Sequence, residues 1–203
     1  MGAKLLVSKK RDNTKVTAGV DEAGRGSLLG PVVAAAVIMD KGLLSRPDIQ
    51  DSKVMSPAAR EKAFSFICRN AISISVGVVS QHFIDVHNIL NASLEAMKRA
   101  VIGLFPRPEL ILVDGIHRIP IPIPQECIKK GDKLNKLISA ASIVAKVYRD
   151  RIMMAYHKDY PVYNLAKNKG YPTREHLMMI REYGPCSLHR YSFRGVCQRG
   201  QAS

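Results

Sequence analysis

An apolar run that ends in two adjacent acids constrains this chain more than any other feature. The stretch VTAGVDEAGRGSLLGPVVAAAV (residues 16–37) places Asp21 and Glu22 directly after a run typical of a buried β-strand and directly before a glycine-rich turn. A second apolar run, Val32–Met39, indicates a second strand. Two carboxylates this close repel each other, which destabilises the fold unless a cation lies between them. A fold of this chain therefore has to bring positive charge to the end of its first strand.

The overall charge indicates what kind of partner to expect. The 31 Lys and Arg residues exceed the 17 Asp and Glu residues, which gives a formal net charge of +14 in 203 residues. An excess of this size favours a polyanionic partner, most often nucleic acid, with a merely basic surface as the alternative. The length suits one well-buried domain.

The sequence favours a cytoplasmic protein without membrane association. Its longest apolar stretch, Pro31–Met39, is too short to cross a bilayer, which takes about 20 residues. Residues 1–10 lack the apolar segment of a signal peptide. Four scattered cysteines without a C-x-x-C pair favour reduced thiols over a zinc site or a disulfide framework.

The spacing of apolar residues predicts an α/β fold with a mixed central sheet flanked by helices. The predicted strands are Val16–Val20, Val32–Met39, Ile72–Val79, Leu110–Asp114 and a weaker one within residues 123–130. The predicted helices start at Ser56-Pro57, lie near Asn88–Leu104, and run from about Leu134 to Tyr156. From about residue 161 the composition indicates a small C-terminal helical appendage. We expect one domain over residues 15–196 between mobile tails, 1–14 and 197–203.

Four acids occupy similar positions at the ends of predicted elements. Asp21 and Glu22 end the first strand, Asp114 ends another, and Asp132 precedes the third helix. Sites in such sheets form beyond strand ends, and clustered carboxylates are the ligands that Mg²⁺ and Mn²⁺ prefer. Two such ions can stabilise both the attacking and the leaving oxygen of a phosphodiester displacement. Singly, Asp114 could be a turn residue, Asp132 a helix N-cap and the acid pair solvated. Together, in a basic protein, they favour a metal site.

Two further features are candidates for binding nucleic acid. The third predicted helix carries a polar stripe spaced by three, four and three residues: Ser139, Ser142, Lys146 and Arg149. Such a stripe is usually a solvated face, but near metal-binding carboxylates it is a candidate phosphate track. The Gly24–Arg25–Gly26 turn can bring backbone N–H groups and a guanidinium close to a ligand, or it can simply serve the turn.

Eight motifs occur in order over residues 16–193. They are GVDEAGRG, DSK, NASLEAM, LVDG, KKGD, SAASIVAKVYRD, KGYPT followed by His176, and HRYSF. Together they closely resemble bacterial ribonuclease HII. The resemblance implies a ribonuclease H-like fold and an endoribonuclease that cleaves the RNA strand of RNA–DNA hybrids. It also implies nicking of duplex DNA on the 5′ side of embedded ribonucleotides, the first step of their removal.

The resemblance also implies the site residues. The catalytic, metal-binding acids would be Asp21, Glu22, Asp114 and Asp132, with two Mn²⁺ or Mg²⁺ ions in the reacting complex. The expected nucleic-acid contacts are a 2′-OH-sensing loop, a junction-reading tyrosine, the DSK lysine and the helix stripe: Gly24, Arg25, Gly26, Tyr171, Lys53, Ser139, Ser142, Lys146 and Arg149. We expect a monomer that acts on RNA–DNA hybrid and on ribonucleotide-containing duplex DNA.

The chain departs from the family pattern at four places. Ser27 replaces a proline, Val54 replaces a second lysine after DSK, residues 133–137 lack small polar residues, and Tyr191 replaces a basic residue. These departures leave the four acids intact and bear on how strongly backbone phosphates are held. Two alternatives remain: a non-catalytic basic nucleic-acid-binding protein, and another nuclease or recombinase of the same fold.

Overall fold

A computed structural model of the chain describes residues 15–44 and 49–197. The two predicted tails, apart from Cys197, lie outside the described residues. The strands are β1 (Thr17–Ala23), β2 (Val32–Ile38), β3 (Ser73–Val79), β4 (Leu110–Asp114) and β5 (Gln125–Ile128). The helices are α1 (Lys41–Leu44), α2 (Pro57–Asn70), α3 (Gln81–Ile102), α4 (Gly131–Leu134), α5 (Lys136–Asp159), α6 (Leu165–Asn168) and α7 (Arg174–Tyr183), with a 3₁₀ turn at Pro161–Tyr163.

The five strands form one mixed sheet in the order β3-β2-β1-β4-β5. The pairs β1–β2 and β2–β3 are antiparallel, whereas β1–β4 and β4–β5 are parallel. This confirms the predicted mixed sheet with flanking helices. Val20 of β1 pairs with Val113 of β4, so the next residues, Asp21 and Asp114, lie side by side where the pairing of these two strands ends. The topology thus joins two acids that are far apart in sequence.

Hydrophobic residues on both faces of the sheet fix the helices to it. All seven residues of β2 are buried, as expected for a central strand covered on both sides. One face packs against α3 and the other against α2 and α5. Gly19 lets α5 approach closely, because a Cβ at this position would collide with the main chain of Leu137. The close approach puts the first turns of α5 next to the end of β1.

The helix boundaries differ from the predictions in instructive ways. Ser56 caps α2 by accepting a hydrogen bond from the Ala59 amide (3.2 Å), as the sequence indicates. The helix expected near Asn88 begins earlier, at Gln81. Asn88 has a φ of 66° and interrupts it, and its side chain caps the second half at the Asn91 amide (3.0 Å). The residue predicted to start this helix, Asn88, is therefore a cap inside α3, and the helix begins seven residues earlier at Gln81.

The C-terminal elements form a third hydrophobic cluster. Tyr163, Leu165 and Ile180 pack against Leu28 and Met153. The loop after β1 and the end of α5 therefore share a core with the appendage. Residues 168–171 lie against the loop that follows the acid pair, since Gly170 accepts a hydrogen bond from the Leu28 amide (2.8 Å).

Candidate active site

Three of the four predicted acids converge at the ends of β1, β4 and α4. Asp21 and Asp132 are only 3% and 2% exposed. Asp21, Asp114 and Asp132 each offer a carboxylate oxygen, and these oxygens lie within 4.8 Å of one another. Asp114 also accepts a hydrogen bond from the Gly131 amide (2.6 Å), which ties α4 to the end of β4.

Asp132 does not cap the long helix. Asn135 does so, because its side chain accepts hydrogen bonds from the amides of Leu137 (2.9 Å) and Ile138 (3.4 Å). Asp132 lies in the short helix α4, and its carboxylate accepts a hydrogen bond from the Lys53 ammonium at 2.6 Å. The capping alternative for Asp132 is therefore wrong.

Glu22 has a different environment from the three aspartates. Its carboxylate faces Arg25 (Nη1–Oε1 3.4 Å), and it is not among the three acids whose oxygens converge. Its backbone amide donates a 2.7 Å hydrogen bond to Asp21. Glu22 thus helps to orient Asp21 through its main chain.

The electrostatics of the acids reflect crowding and burial. Burial raises the pKa of Asp21 well above its ordinary value, and the charges of Glu22 and Asp114 raise it further. Burial also raises the pKa of Glu22, although the Arg25 guanidinium opposes this shift. Burial alone would lower the pKa of Lys53, but its hydrogen bond to Asp132 and the surrounding acids raise it. The site is therefore short of positive charge.

The donor set fits a hard divalent cation. Carboxylate oxygens are the preferred ligands of Mg²⁺ and Mn²⁺, and a cation would relieve the repulsion that raises the pKa of Asp21. Among the described residues, the three aspartates are the one group of His, Cys, Asp and Glu side chains close enough to share an ion.

A cavity of about 260 Å³ opens beside the acids. The acid pair, Asp114 and most of the predicted nucleic-acid contacts line it: Asp21, Glu22, Gly24, Arg25, Gly26, Lys53, Asp114, Ser142, Lys146 and Tyr171. The Tyr171 ring lies 5.7 Å from the Lys146 ammonium and 5.4 Å from the Arg149 guanidinium carbon. Residues from five separate segments of the sequence thus meet in one concave surface.

The polar stripe of α5 faces the sheet and the loops above it. Ser142 and Lys146 of the predicted phosphate track line the cavity, whereas Ser139 and Arg149 are buried and do not line it. Ser139 is buried and donates to the Asp132 carbonyl (2.6 Å), and Ser142 shares a hydrogen bond with Ser52 (2.9 Å). Lys146 lies at the cavity wall, where its ammonium pairs with Asp150 at 2.6 Å.

Arg149 is a buried anchor rather than a phosphate contact. Its guanidinium is fully buried and donates to the carbonyls of Pro31 (3.2 Å) and Lys169 (2.9 Å), to the Leu29 carbonyl (3.2 Å) and to the Ser27 hydroxyl (2.7 Å). This gives Ser27, one of the departures from the family pattern, a structural role. A Cβ on Gly24, whose φ is +95°, would collide with the same guanidinium.

Arg190 is a second buried anchor that the sequence did not indicate. It donates to the Arg25 carbonyl (2.9 Å) and to the Gly30 carbonyl (2.9 Å). The two buried arginines together hold the loop of residues 24–31 against the appendage. The motif HRYSF marks the position, but no local pattern says that its arginine is buried.

The sequence matches one family along most of its length. The family model for ribonuclease HII matches residues 18–196. The ribonuclease HII of Syntrophus aciditrophicus is 55% identical over 183 residues, which cover 90% of this chain and 86% of the relative. That of Thermotoga petrophila is 50% identical over 183 residues and 90% of this chain, and 75% of its own length is covered.

Solved structures agree with the sequence relatives. Ribonuclease H2 from Pyrococcus horikoshii superposes with a TM-score of 0.73 at 26% identity, covering 89% of this chain and 94% of that one. Ribonuclease HII from Archaeoglobus fulgidus, solved in complex with PCNA, gives a TM-score of 0.77 at 25% identity, covering 92% and 98%. No helix within residues 15–44 and 49–197 has the length and apolar character to span a membrane. The chain belongs to the ribonuclease HII family, and it is a ribonuclease H that cleaves RNA in RNA–DNA hybrids and nicks DNA at embedded ribonucleotides.

Proposed function

We propose that Asp21, Asp114 and Asp132, with Glu22 beside them, form the catalytic centre and hold Mn²⁺ or Mg²⁺, two ions in the reacting complex. The observation that carries this proposal is the convergence of three carboxylate oxygens within 4.8 Å in a basic protein. Bound divalent cations supply activation of the attacking water and stabilisation of the leaving oxygen. The products are a 5′-phosphate and a 3′-hydroxyl, with the cut on the 5′ side of the ribonucleotide.

The chain's own residues orient the substrate. The 2′-OH is the group that distinguishes RNA from DNA locally, so discrimination requires contacts next to it. The Gly24–Arg25–Gly26 loop lines the cavity beside the acids and is held from behind by Arg190. Tyr171 also lines the cavity and offers an aromatic face for a sugar or base. Lys53 holds Asp132 in place through its 2.6 Å hydrogen bond.

We further propose that the protein acts as a cytoplasmic monomer on RNA–DNA hybrid and ribonucleotide-containing duplex DNA. The named sequence relatives are bacterial, and bacterial DNA lies in the cytoplasm. Light scattering of the purified chain with and without duplex measures its oligomeric state.

One cleavage assay tests the proposed function. A duplex with a single ribonucleotide is incubated with Mg²⁺, Mn²⁺ or EDTA, with the all-DNA duplex as the matched control. We expect one nick on the 5′ side of the ribonucleotide with either metal, and no cleavage in EDTA or of the control. Cleavage in EDTA would contradict the metal-dependent site. Cleavage of the all-DNA duplex would favour another nuclease of the same fold.

A further inference from the structure

Two fully buried histidines, His176 and His189, form a hydrogen-bonded chain that ends at Tyr171. His189 Nδ1 lies 2.9 Å from the Cys186 amide nitrogen. A backbone amide only donates, so this Nδ1 is unprotonated and the ring proton is on Nε2. The two Nε2 atoms are 3.3 Å apart, so His189 donates to His176. The His176 proton is then on Nδ1, which donates to the Tyr171 carbonyl at 3.0 Å.

The surroundings keep both rings neutral and in these tautomers. Burial lowers the pKa of His176 and lowers the pKa of His189 to about 4, and the neighbouring His176 adds to the latter shift. The Tyr163 ring packs edge-on against both imidazoles, with centroids 6.1 Å and 4.8 Å away. A second proton on His176 would turn its Nε2, the acceptor of the bond from His189, into a donor. A second proton on His189 would do the same to its Nδ1, the acceptor of the bond from the Cys186 amide.

The chain of hydrogen bonds reaches the cavity through the main chain of Tyr171. The Tyr171 carbonyl also accepts from the Thr173 amide (2.8 Å), and its amide donates to Asn168 (3.0 Å). These bonds fix the backbone from which the Tyr171 ring projects onto the cavity wall. The main chain of Tyr171 thus makes three hydrogen bonds, with Thr173, Asn168 and His176, and only the bond from His176 comes from a side chain.

We propose that His176 is a positioning residue for Tyr171 and that His189 sets the tautomer His176 needs for that task. This inference rests on the substrate-reading role proposed above for Tyr171. His176 lies behind the tyrosine and acts through its main chain, so it shapes discrimination between substrates rather than the chemical step.

Two substitutions separate positioning from packing. His176→Asn places an amide nitrogen near the site of Nδ1, so it can still donate to the Tyr171 carbonyl. His176→Gln places an amide oxygen near the site of Nε2, so it can accept from His189, but it loses the bond to Tyr171. Both remove the ring, and each keeps one of the two hydrogen bonds that His176 makes. The measured quantity is the ratio of kcat/KM on a single embedded ribonucleotide to kcat/KM on a continuous hybrid, with Tyr171→Ala as the reference for full loss.

We expect His176→Gln to lower this ratio by about fivefold, the effect of one hydrogen bond, and His176→Asn to stay within about twofold of the wild type. Equal ratios in the two variants would overturn the proposal. Melting temperatures of both variants, which we expect to match each other, show that any difference is not a folding defect.

The tautomers provide a test that is independent of cleavage. Long-range ¹⁵N NMR spectra of the imidazoles should show a proton on Nδ1 of His176 and on Nε2 of His189 at pH 7. The reverse assignment, or a doubly protonated ring, would overturn the proposal. A wild-type chain with the expected tautomers but no cleavage of any duplex would contradict the proposed function and leave the hydrogen-bonded chain standing.

Discussion

Asp21 shows at the scale of one residue why the acid pair is tolerated. It is buried at the end of β1 with Asp114 beside it, and both Glu22 and Asp114 raise its pKa in addition to the effect of burial. The Lys53 ammonium donates its hydrogen bond to Asp132 and not to Asp21. An ionised carboxylate in these surroundings destabilises the metal-free fold, and that cost has a rationale only if a cation is bound during function.

Asp21→Asn should therefore stabilise the metal-free protein while abolishing cleavage. When folding raises the pKa of an acid, the protein loses stability as the pH rises from the ordinary pKa of that acid, 3.8 for Asp21, through its pKa in the folded state. The loss persists at higher pH. Removing the charge should raise the melting temperature in EDTA at pH 7 by about 2–4 °C, the effect of ~1 kcal/mol in a domain of this size. Thermal melts and the cleavage assay measure both effects.

Asp150→Asn is the matched control, since Asp150 is paired with Lys146 (2.6 Å) and Arg60 (3.5 Å). Its loss should lower the melting temperature. If Asp21→Asn destabilised the protein as Asp150→Asn does, the strain assigned to the acid cluster would be refuted. An active Asp21→Asn enzyme would remove this residue from the catalytic centre.

Asp132→Asn separates catalysis from helix capping. Asn135 caps α5, so the substitution leaves the cap intact and weakens only the bond to Lys53, whose side chain is 69% exposed. We expect a loss of at most about 1 kcal/mol of stability because such a pair is screened by solvent. Cleavage should fall severely, since an amide oxygen is a poor substitute for an anionic ligand.

Asn135→Ala gives the opposite pattern and serves as the control. Loss of the cap should cost about 1 kcal/mol of stability and leave the four acids in place. Melts in metal-free buffer and cleavage rates on one substrate distinguish the two variants. Normal cleavage by Asp132→Asn would exclude Asp132 from the site.

At the scale of the elements, the sequence predicts what local patterns encode and misses what tertiary contacts decide. The apolar runs of β2 and β4 and the cap at Ser56 were predicted because spacing and capping chemistry are local signals. The direction of the α5 stripe was not predicted, because it depends on where the loop of residues 24–31 lies. Arg149 looks like a surface cation in sequence, and only the carbonyls of distant segments show that it is an anchor.

The appendage should weaken in mild acid because of its two buried histidines. A histidine with a lowered folded pKa stays neutral in the native state while the unfolded chain takes up protons below about 6.5. Stability is therefore lost as the pH falls from about 6.5 towards the folded value of His189, about 4. The slope should approach ~1.4 kcal/mol per pH unit for each histidine that stays neutral.

Hydrogen exchange of α7 between pH 7 and 5, corrected for the intrinsic pH dependence of exchange, measures this loss. The control is α2, which packs against the sheet and α5 through Ala63, Phe64 and Ile67 and should keep its protection longer. Equal loss of protection in both helices would show that the histidine pair does not govern the appendage.

At the scale of the whole molecule, an acidic centre lies within a protein of net charge +14. The parallel pairing of β1 with β4 and the short helix α4 bring three acids together at the C-terminal ends of these two strands. Lysines and arginines elsewhere supply attraction for a polyanion that is not specific to sequence. We therefore expect binding and cleavage to be separable, with Lys and Arg side chains governing binding and the proposed catalytic acids governing cleavage.

Lys146 tests this separation, because it is a basic residue that lines the cavity beside the acids. Its side chain is 20% exposed at the cavity wall and is paired with Asp150, so it contacts a phosphate only by exchanging this partner. In an Asp21→Asn background, which removes cleavage, Lys146→Ala should weaken binding to all-DNA, hybrid and ribonucleotide-containing duplexes by a similar factor. The slope of log affinity against log salt should fall by about 0.9 if one phosphate contact is lost.

Lys98→Ala is the control, because Lys98 lies on α3 on the opposite face of the sheet and pairs with Glu95. We expect no change in slope for this variant. An unchanged slope for Lys146→Ala would mean that its ammonium stays with Asp150, and a loss confined to the ribonucleotide-containing duplex would make Lys146 a reader of the substrate rather than a backbone contact.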